Sequence, residues 1–231
     1  MRKVTTALLA LAFVLAGCTD RKADSKSAHL KPEENAAPTA NQAAPNSIEL
    51  QQPADNNVAP ARTPDVVFVP TPQEVVDKML EIAQVKKDDL LYDLGCGDGR
   101  IVVTAAGRYG CRAVGYDIDP RRIKESLLNV KENNVGHLVR IEQKDIFTLD
   151  LSEASVITLY LLPRLNVRLI PQLEKLKPGS RIVSHDFNMK GVKPDKVVRV
   201  TSGDNEESHR IYFWTTPLKR TTEKPAPGEE D

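Results

Sequence analysis

The chain has 231 residues, enough for one domain with a full core together with tails. Its 32 lysines and arginines balance 32 aspartates and glutamates, and no block of like charge runs longer than a few residues. That balance gives no basic stripe to track a nucleic-acid backbone and no polybasic patch for an anionic membrane.

Arg2 and Lys3 precede an apolar run from Val4 to Leu15, broken only by Thr5 and Thr6. A run of this length is short of the roughly 20 residues needed to span a bilayer, and it suits the core of an export signal. Leu15-Ala16-Gly17-Cys18 follows and resembles a bacterial lipobox. The resemblance implies cleavage before Cys18 and a lipid on its thiol, with the mature chain anchored at the outer face of a bacterial membrane. An ordinary signal peptide cleaved nearby is the alternative. Residues 19–63 are rich in Ala, Pro, Asn, Gln, Glu and Lys and contain no aromatic residue. Such a segment buries too little apolar surface to offset its ordering entropy. As a flexible tether of about 45 residues it would reach on the order of 35–40 Å.

Beyond it the periodicity changes. Val75, Val76, Met79, Leu80 and Ala83 recur at helical spacing, and Thr71 and Glu74 match a capping box with Pro72 at the first helical position. Leu90 to Leu94 reads as a strand, Ile101 to Ala106 as a helix, and Ala113 to Tyr116 as a second strand. Asp119 and Pro120 open a helix carrying Ile123, Leu127 and Val130. Strands follow at Val139 to Glu142 and Val156 to Leu162. Then come a helical stripe of Leu165, Leu169, Leu173 and Leu176, a strand at Arg181 to Ser184, and two last strands at Val197 to Thr201 and His209 to Thr215. Alternating strands and helices predict an α/β, Rossmann-like domain over residues 64–217, with helices on both faces of a parallel sheet and an antiparallel hairpin at one edge. Residues 218–231 read as a frayed tail. Cys96 and Cys111 fall at opposite edges of the predicted sheet, about 15 Å apart, too far for a disulfide. No Cys/His grouping has zinc spacing, so no metal site is expected.

Ligands bind such sheets at the carboxyl ends of their strands. The most informative segment there is Asp93-Leu94-Gly95-Cys96-Gly97-Asp98-Gly99-Arg100. The dinucleotide pattern would put a glycine at position 100, where Arg100 stands. Asp93 would also repel a pyrophosphate, whereas a ligand with an ammonium and a sulfonium is favoured by a carboxylate. Gly99 is expected to serve helix–strand packing. Asp117 ends the second strand about 20 residues on, where a carboxylate can accept two ribose hydroxyls or simply cap its own turn.

The loop resembles motif I of class I methyltransferases, acidic-x-G-x-G-x-G. That resemblance implies S-adenosylmethionine as cofactor, held by Asp93, Gly95, Gly97 and Asp117, with Asp145 near the adenine amine. Val69-Pro70-Thr71-Pro72-Gln73-Glu74-Val75-Val76, Tyr160-Leu161-Leu162-Pro163 and Ser184-His185-Asp186-Phe187 narrow it further. Together they resemble the membrane-associated protein-lysine methyltransferases that act on the ATP synthase c-subunit and the adenine nucleotide translocase. In that reading Glu74 lies near the cofactor's ammonium. Tyr160, His185 and Asp186 face the methyl acceptor as catalytic residues, and the partner is a membrane-associated protein rather than nucleic acid. No Asn/Asp-Pro-Pro-Tyr motif follows the fourth strand, which speaks against amino-group methylation of bases. The export signal leaves open a second reading, a lipid-anchored binding protein on a catalytically silent methyltransferase fold. A nicotinamide oxidoreductase is a third.

Overall fold

The structure, a computed structural model, describes residues 63–203 and 207–221. The expected export signal with Cys18, almost all of the expected tether and the end of the expected tail lie outside the described residues. Seven strands form one sheet. In chain order the elements are α1 (Gln73–Ile82), β1 (Leu90–Leu94), α2 (Arg100–Tyr109), β2 (Arg112–Asp117), α3 (Pro120–Glu132), β3 (Val139–Gln143), a 3-10 turn (Ile146–Thr148), β4 (Val156–Leu159), α4 (Pro163–Leu173), β5 (Arg181–His185), β6 (Lys196–Ser202) and β7 (Glu207–Thr215). The strand order is β3-β2-β1-β4-β5-β7-β6, with β1 to β5 parallel and β7 antiparallel to both its neighbours. The expected hairpin is present, and its second strand inserts between β5 and the edge.

Period-two alternation sorts the strand side chains onto two faces. Leu91, Ala113, Val156, Val183 and Ile211 pack with α1, α2 and α3. Leu94, Val114, Ile157, Ile182 and Trp214 pack beneath α4. The chain runs outward from β1 through β2 to β3 with its helices on one face. It then returns to β4 and runs the other way with α4 on the opposite face. The β1/β4 junction is therefore the point where strand order reverses, and a crevice opens there at the carboxyl ends.

Three local readings change. The helix after Thr71 has Pro72, not Thr71, at its N-cap, and no side chain caps it. The carbonyl of Pro72 accepts from Val75 N and Val76 N at 3.1 and 3.0 Å, while the Thr71 hydroxyl is committed elsewhere. β4 ends at Leu159 rather than Leu162. Pro163 opens α4, and the residue before a proline is driven to extended backbone, so Leu162 (φ −57, ψ 152) leads the chain off the sheet. The start of the tail packs on the domain: Arg220 bridges to Val192 and pairs with Glu174, and Lys219 pairs with Asp195 at 2.6 Å. Asp119 caps α3 as expected, accepting from Arg121 N at 2.9 Å.

Candidate active site

β1 delivers the glycine loop against the end of β2. Gly95 N and Cys96 N both donate to the Tyr116 carbonyl, at 2.8 and 2.9 Å. Gly97 N donates to Asp117 Oδ2 and Asp119 N to Asp117 Oδ1, each at 2.9 Å. Asp117 thus caps its own turn and fastens the loop as well. A carboxylate offers about four lone-pair sites, so acceptor capacity remains for a ligand beside these backbone donors. Burial raises its pKa above the usual carboxylate value, against those backbone donors.

Asp93 is buried at the end of β1. Its Oδ1 accepts from Thr158 Oγ1 at 2.6 Å, and its Oδ2 has no partner. Burial lifts its pKa to about 7, and Asp117 and Asp98 add to the rise against the Thr158 hydrogen bond. Both carboxylates border a cavity of about 690 Å³ that also takes in Asp145, Lys144, Tyr160 and the segment 63–69. Asp145 caps the 3-10 turn, accepting from Phe147 N at 3.0 Å. Cys96 and Cys111 are both buried thiols, and burial pushes each upward, Cys111 to about 11.

The loop glycines make room for protein as well as for a ligand. Gly97 has φ +54, and a Cβ there would sit 2.1 Å from Cε2 of Phe68. That ring, held beneath the Arg122 guanidinium at 4.6 Å, covers the loop. Gly95 faces Leu161. Gly99 meets Ser126 on α3, so its tight packing is helix on helix rather than helix on strand. Arg100, at the position where a dinucleotide loop would need glycine, pairs with Asp98 and donates to the Thr71 carbonyl at 2.8 Å. It ties the segment before α1 to the loop.

The expected catalytic trio divides. Tyr160 lines the cavity, and burial, with Asp186 nearby, raises its phenol so that it keeps its proton. His185 does not line the cavity. It is wholly buried behind Tyr160, the two rings 3.9 Å apart, with Nδ1 3.2 Å from Thr71 Oγ1. Burial depresses its pKa to about 4, with His209 adding to the fall and Asp186 opposing it. Asp186 also stands outside the cavity lining and accepts from Arg210 N at 2.7 Å. The reading of these two as facing the acceptor is corrected accordingly: the end of β5 turns under Tyr160, and Phe187 is its residue at the cavity. Glu74 is exposed on α1 and is not among the lining residues, which leaves Asp93 as the carboxylate for an ammonium.

Phe68, Thr158 and His209 were not foreseen. Thr158 had a signal, a lone hydroxyl in the apolar run Val156-Ile157-Thr158-Leu159. Phe68 sits in the apolar run preceding α1, which nothing in its periodicity assigned to the loop.

Residues 93–196 match the family model described as ANTKMT methyltransferase domain. The chain is 47% identical over 153 residues to a protein-lysine N-methyltransferase of Saccharolobus islandicus, covering 65% of this chain and 94% of the relative. The chain belongs to this methyltransferase family. It is also 29% identical over 156 residues to the lysine N-methyltransferase of the ATP synthase c-subunit from Xenopus laevis, covering 65% of this chain and 66% of that protein. A Salinibacter ruber structure described as an RNA methyltransferase in complex with S-adenosyl-L-homocysteine is 48% identical. It superposes with a TM-score of 0.60 over 70% of this methyltransferase and all of that chain.

The methyltransferase therefore uses S-adenosylmethionine, and its residues suit that cofactor. Asp93 Oδ2 is a buried, unpartnered acceptor at the cavity, fit for an ammonium. Asp117 keeps lone pairs for hydroxyls. Carboxylates outnumber cations among the lining residues, and two of those cations, Arg100 and Arg121, are already paired with Asp98 and Asp119. Such a lining favours a ligand with positive centres and no phosphate.

Proposed function

We propose that this methyltransferase methylates a lysine side chain of a membrane-associated protein. The observation that carries the reading is the surplus of carboxylates in the cavity, which attracts a cationic side chain and repels a phosphate backbone. The protein-lysine relatives support it. A lysine has the reach to enter a recessed site; before transfer its ammonium must release a proton to solvent, a loss that desolvation promotes and the neighbouring carboxylates oppose.

When bound, S-adenosylmethionine supplies an electrophilic methyl on a sulfonium. The protein's share is to hold and align. Asp93 takes the ammonium end, and Gly95 and Gly97 give the loop its turn. Asp117 takes the ribose hydroxyls and Asp145 the adenine side. Tyr160, kept protonated, forms the wall against which the acceptor nitrogen is oriented, and alignment of this kind accounts for much of the rate in a displacement that needs no protein nucleophile.

The reading extends to location. Leu15-Ala16-Gly17-Cys18 and the polar segment after it support a lipid on Cys18 that tethers the domain at a membrane and concentrates membrane proteins near it. Cys18→Ser should release the chain from membranes in a carbonate wash; equal retention refutes the anchor. For the acceptor, tritiated S-adenosylmethionine is incubated with the full chain and membrane extract, followed by acid hydrolysis and amino-acid analysis. Label in methyl-lysine is expected. Label in RNA, lipid or small molecules, with none in methyl-lysine, overturns the lysine assignment.

A further inference from the structure

Behind Tyr160, the end of β5 and the first part of β7 bring together three donor atoms that methyl transfer does not use. His185 Nε2 lies 3.0 Å from His209 Nδ1 and 3.2 Å from Asp186 Oδ2, and His209 Nδ1 lies 3.3 Å from the same oxygen. We propose that His185, Asp186 and His209 bind a divalent cation of the zinc class, which clamps β5 to β7 and fixes the ring stack that positions Tyr160.

The geometry is that of a coordination face. Donors about 2.05 Å from a tetrahedral zinc stand about 3.3 Å apart, close to all three edges of this triangle. Hydrogen bonds cannot serve the triangle as well. Two neutral imidazoles bring at most two protons to its three edges, so one edge always faces lone pair to lone pair or proton to proton. A cation satisfies all three donors together. Two imidazoles and one carboxylate form a donor set that zinc accepts, with water in the fourth position.

At His185 the surroundings also fit, whereas His209 Nε2 is buried without a hydrogen-bond partner. With Nε2 on the cation, His185 carries its proton on Nδ1 and donates to Thr71 Oγ1, 3.2 Å away; such an outer hydrogen bond sets tautomer and ring orientation. Asp186 is held at φ +54, a left-handed conformation uncommon outside glycine, and its second oxygen accepts from Arg210 N at 2.7 Å. The strained backbone keeps the carboxylate against both rings. Asp186 and His209 side chains are 29% and 11% exposed, which gives an ion a way in. The sequence shows no zinc spacing because the ligands come from two strands, 24 residues apart from His185 to His209, and only the antiparallel β5–β7 pairing joins them.

The test uses the full, untagged chain, stripped with EDTA and desalted. Zinc chloride is titrated against a chelating dye, elemental analysis follows desalting, and cobalt chloride reports coordination through its visible bands. The expected result is one equivalent of zinc with a sub-micromolar Kd, an intense tetrahedral cobalt spectrum, and a melting temperature that rises with zinc. Asp186→Asn and His209→Ala should each weaken binding at least tenfold, Thr71→Val about tenfold, and His137→Ala not at all. The wild-type titration does not depend on how well the variants fold. No stoichiometric zinc in the wild type, an octahedral cobalt spectrum, or equal binding by folded Asp186→Asn and His209→Ala overturns the site.

Discussion

Replacing Asp93 by asparagine should strengthen the empty protein and weaken cofactor binding, each with its own pH dependence. Asp93 is buried with one oxygen on Thr158 and the other unpartnered, and burial lifts its pKa from the ordinary 3.8 to about 7. Between those two values the folded chain holds a proton that the unfolded chain has lost. Stability contributed by this group is therefore full below the lower value and falls as pH rises, levelling off above about 7. The slope is about 1.4 kcal/mol per pH unit. From pH 5 to pH 8 the change amounts to about 3 kcal/mol, or about 6–12 °C in melting temperature for a domain of this size. Asparagine keeps an acceptor for Thr158 and does not titrate. In urea melts of the cofactor-free protein, the stability difference between variant and wild type should thus grow in the variant's favour by about 3 kcal/mol from pH 5 to pH 8. Binding should move oppositely. A cationic ligand prefers the ionised carboxylate, so wild-type affinity for S-adenosylmethionine should rise with pH through 7. Asp93→Asn should lose about 1.5–3 kcal/mol of affinity at pH 8, as for a missing charge-assisted hydrogen bond, and should show a flat profile in calorimetry. A stability difference that does not change with pH would refute the assignment of the orphaned oxygen, and so would unchanged affinity.

Four further outcomes follow from the same geometry. Asp117→Ala removes the acceptor that fastens Gly97 N and Asp119 N, and should weaken cofactor binding at least about tenfold in calorimetry while lowering the melting temperature. Gly97→Val drives a side chain into Phe68 at a positive φ, and should abolish measurable binding; the further change Phe68→Ala should restore only part, since the backbone strain remains. Tyr160→Phe keeps the stack on His185 and loses the hydroxyl, so kcat should fall about tenfold with little change in cofactor Kd, a loss of about 1.4 kcal/mol in the transition state. Arg181→Ala strips the partner from Asp89, which Ser155, Arg181 and Lys86 N hold below the usual carboxylate value despite burial. It should cost about 3 kcal/mol in urea unfolding near neutral pH, a penalty that shrinks as pH falls and Asp89 is protonated, with cofactor affinity unchanged.

What could be read in the sequence and what could not divides along a physical line. The inner strands announced themselves because each is a short apolar run bounded by turn residues. The cofactor loop did so because three glycines and two carboxylates stand at the ends of two such runs. These are local properties, and Asp93, Asp117 and Asp145 stand where local reading put them. Several of the misplacements concern groups whose partner is remote in the chain. Thr71 reads as a helix cap until the chain brings His185 beside it, 114 residues away. His185 reads as facing the acceptor because it ends a strand at the ligand side. Only the antiparallel insertion of β7 decides that its ring is buried against His209 and that Tyr160 lies between it and the cavity. Period-two alternation tells which residues share a face; it does not tell what lies over that face when the covering element arrives from another part of the chain. Glu74, in the first turn of α1, is misread for a local reason: it reads as a ligand by its place in a motif, whereas helix phase leaves it in solvent while Val75 and Val76 face the sheet. The carboxylate left to meet the cofactor's ammonium is then Asp93, buried and half unpartnered, and both its pH behaviour and its cost to the empty fold follow from that single placement.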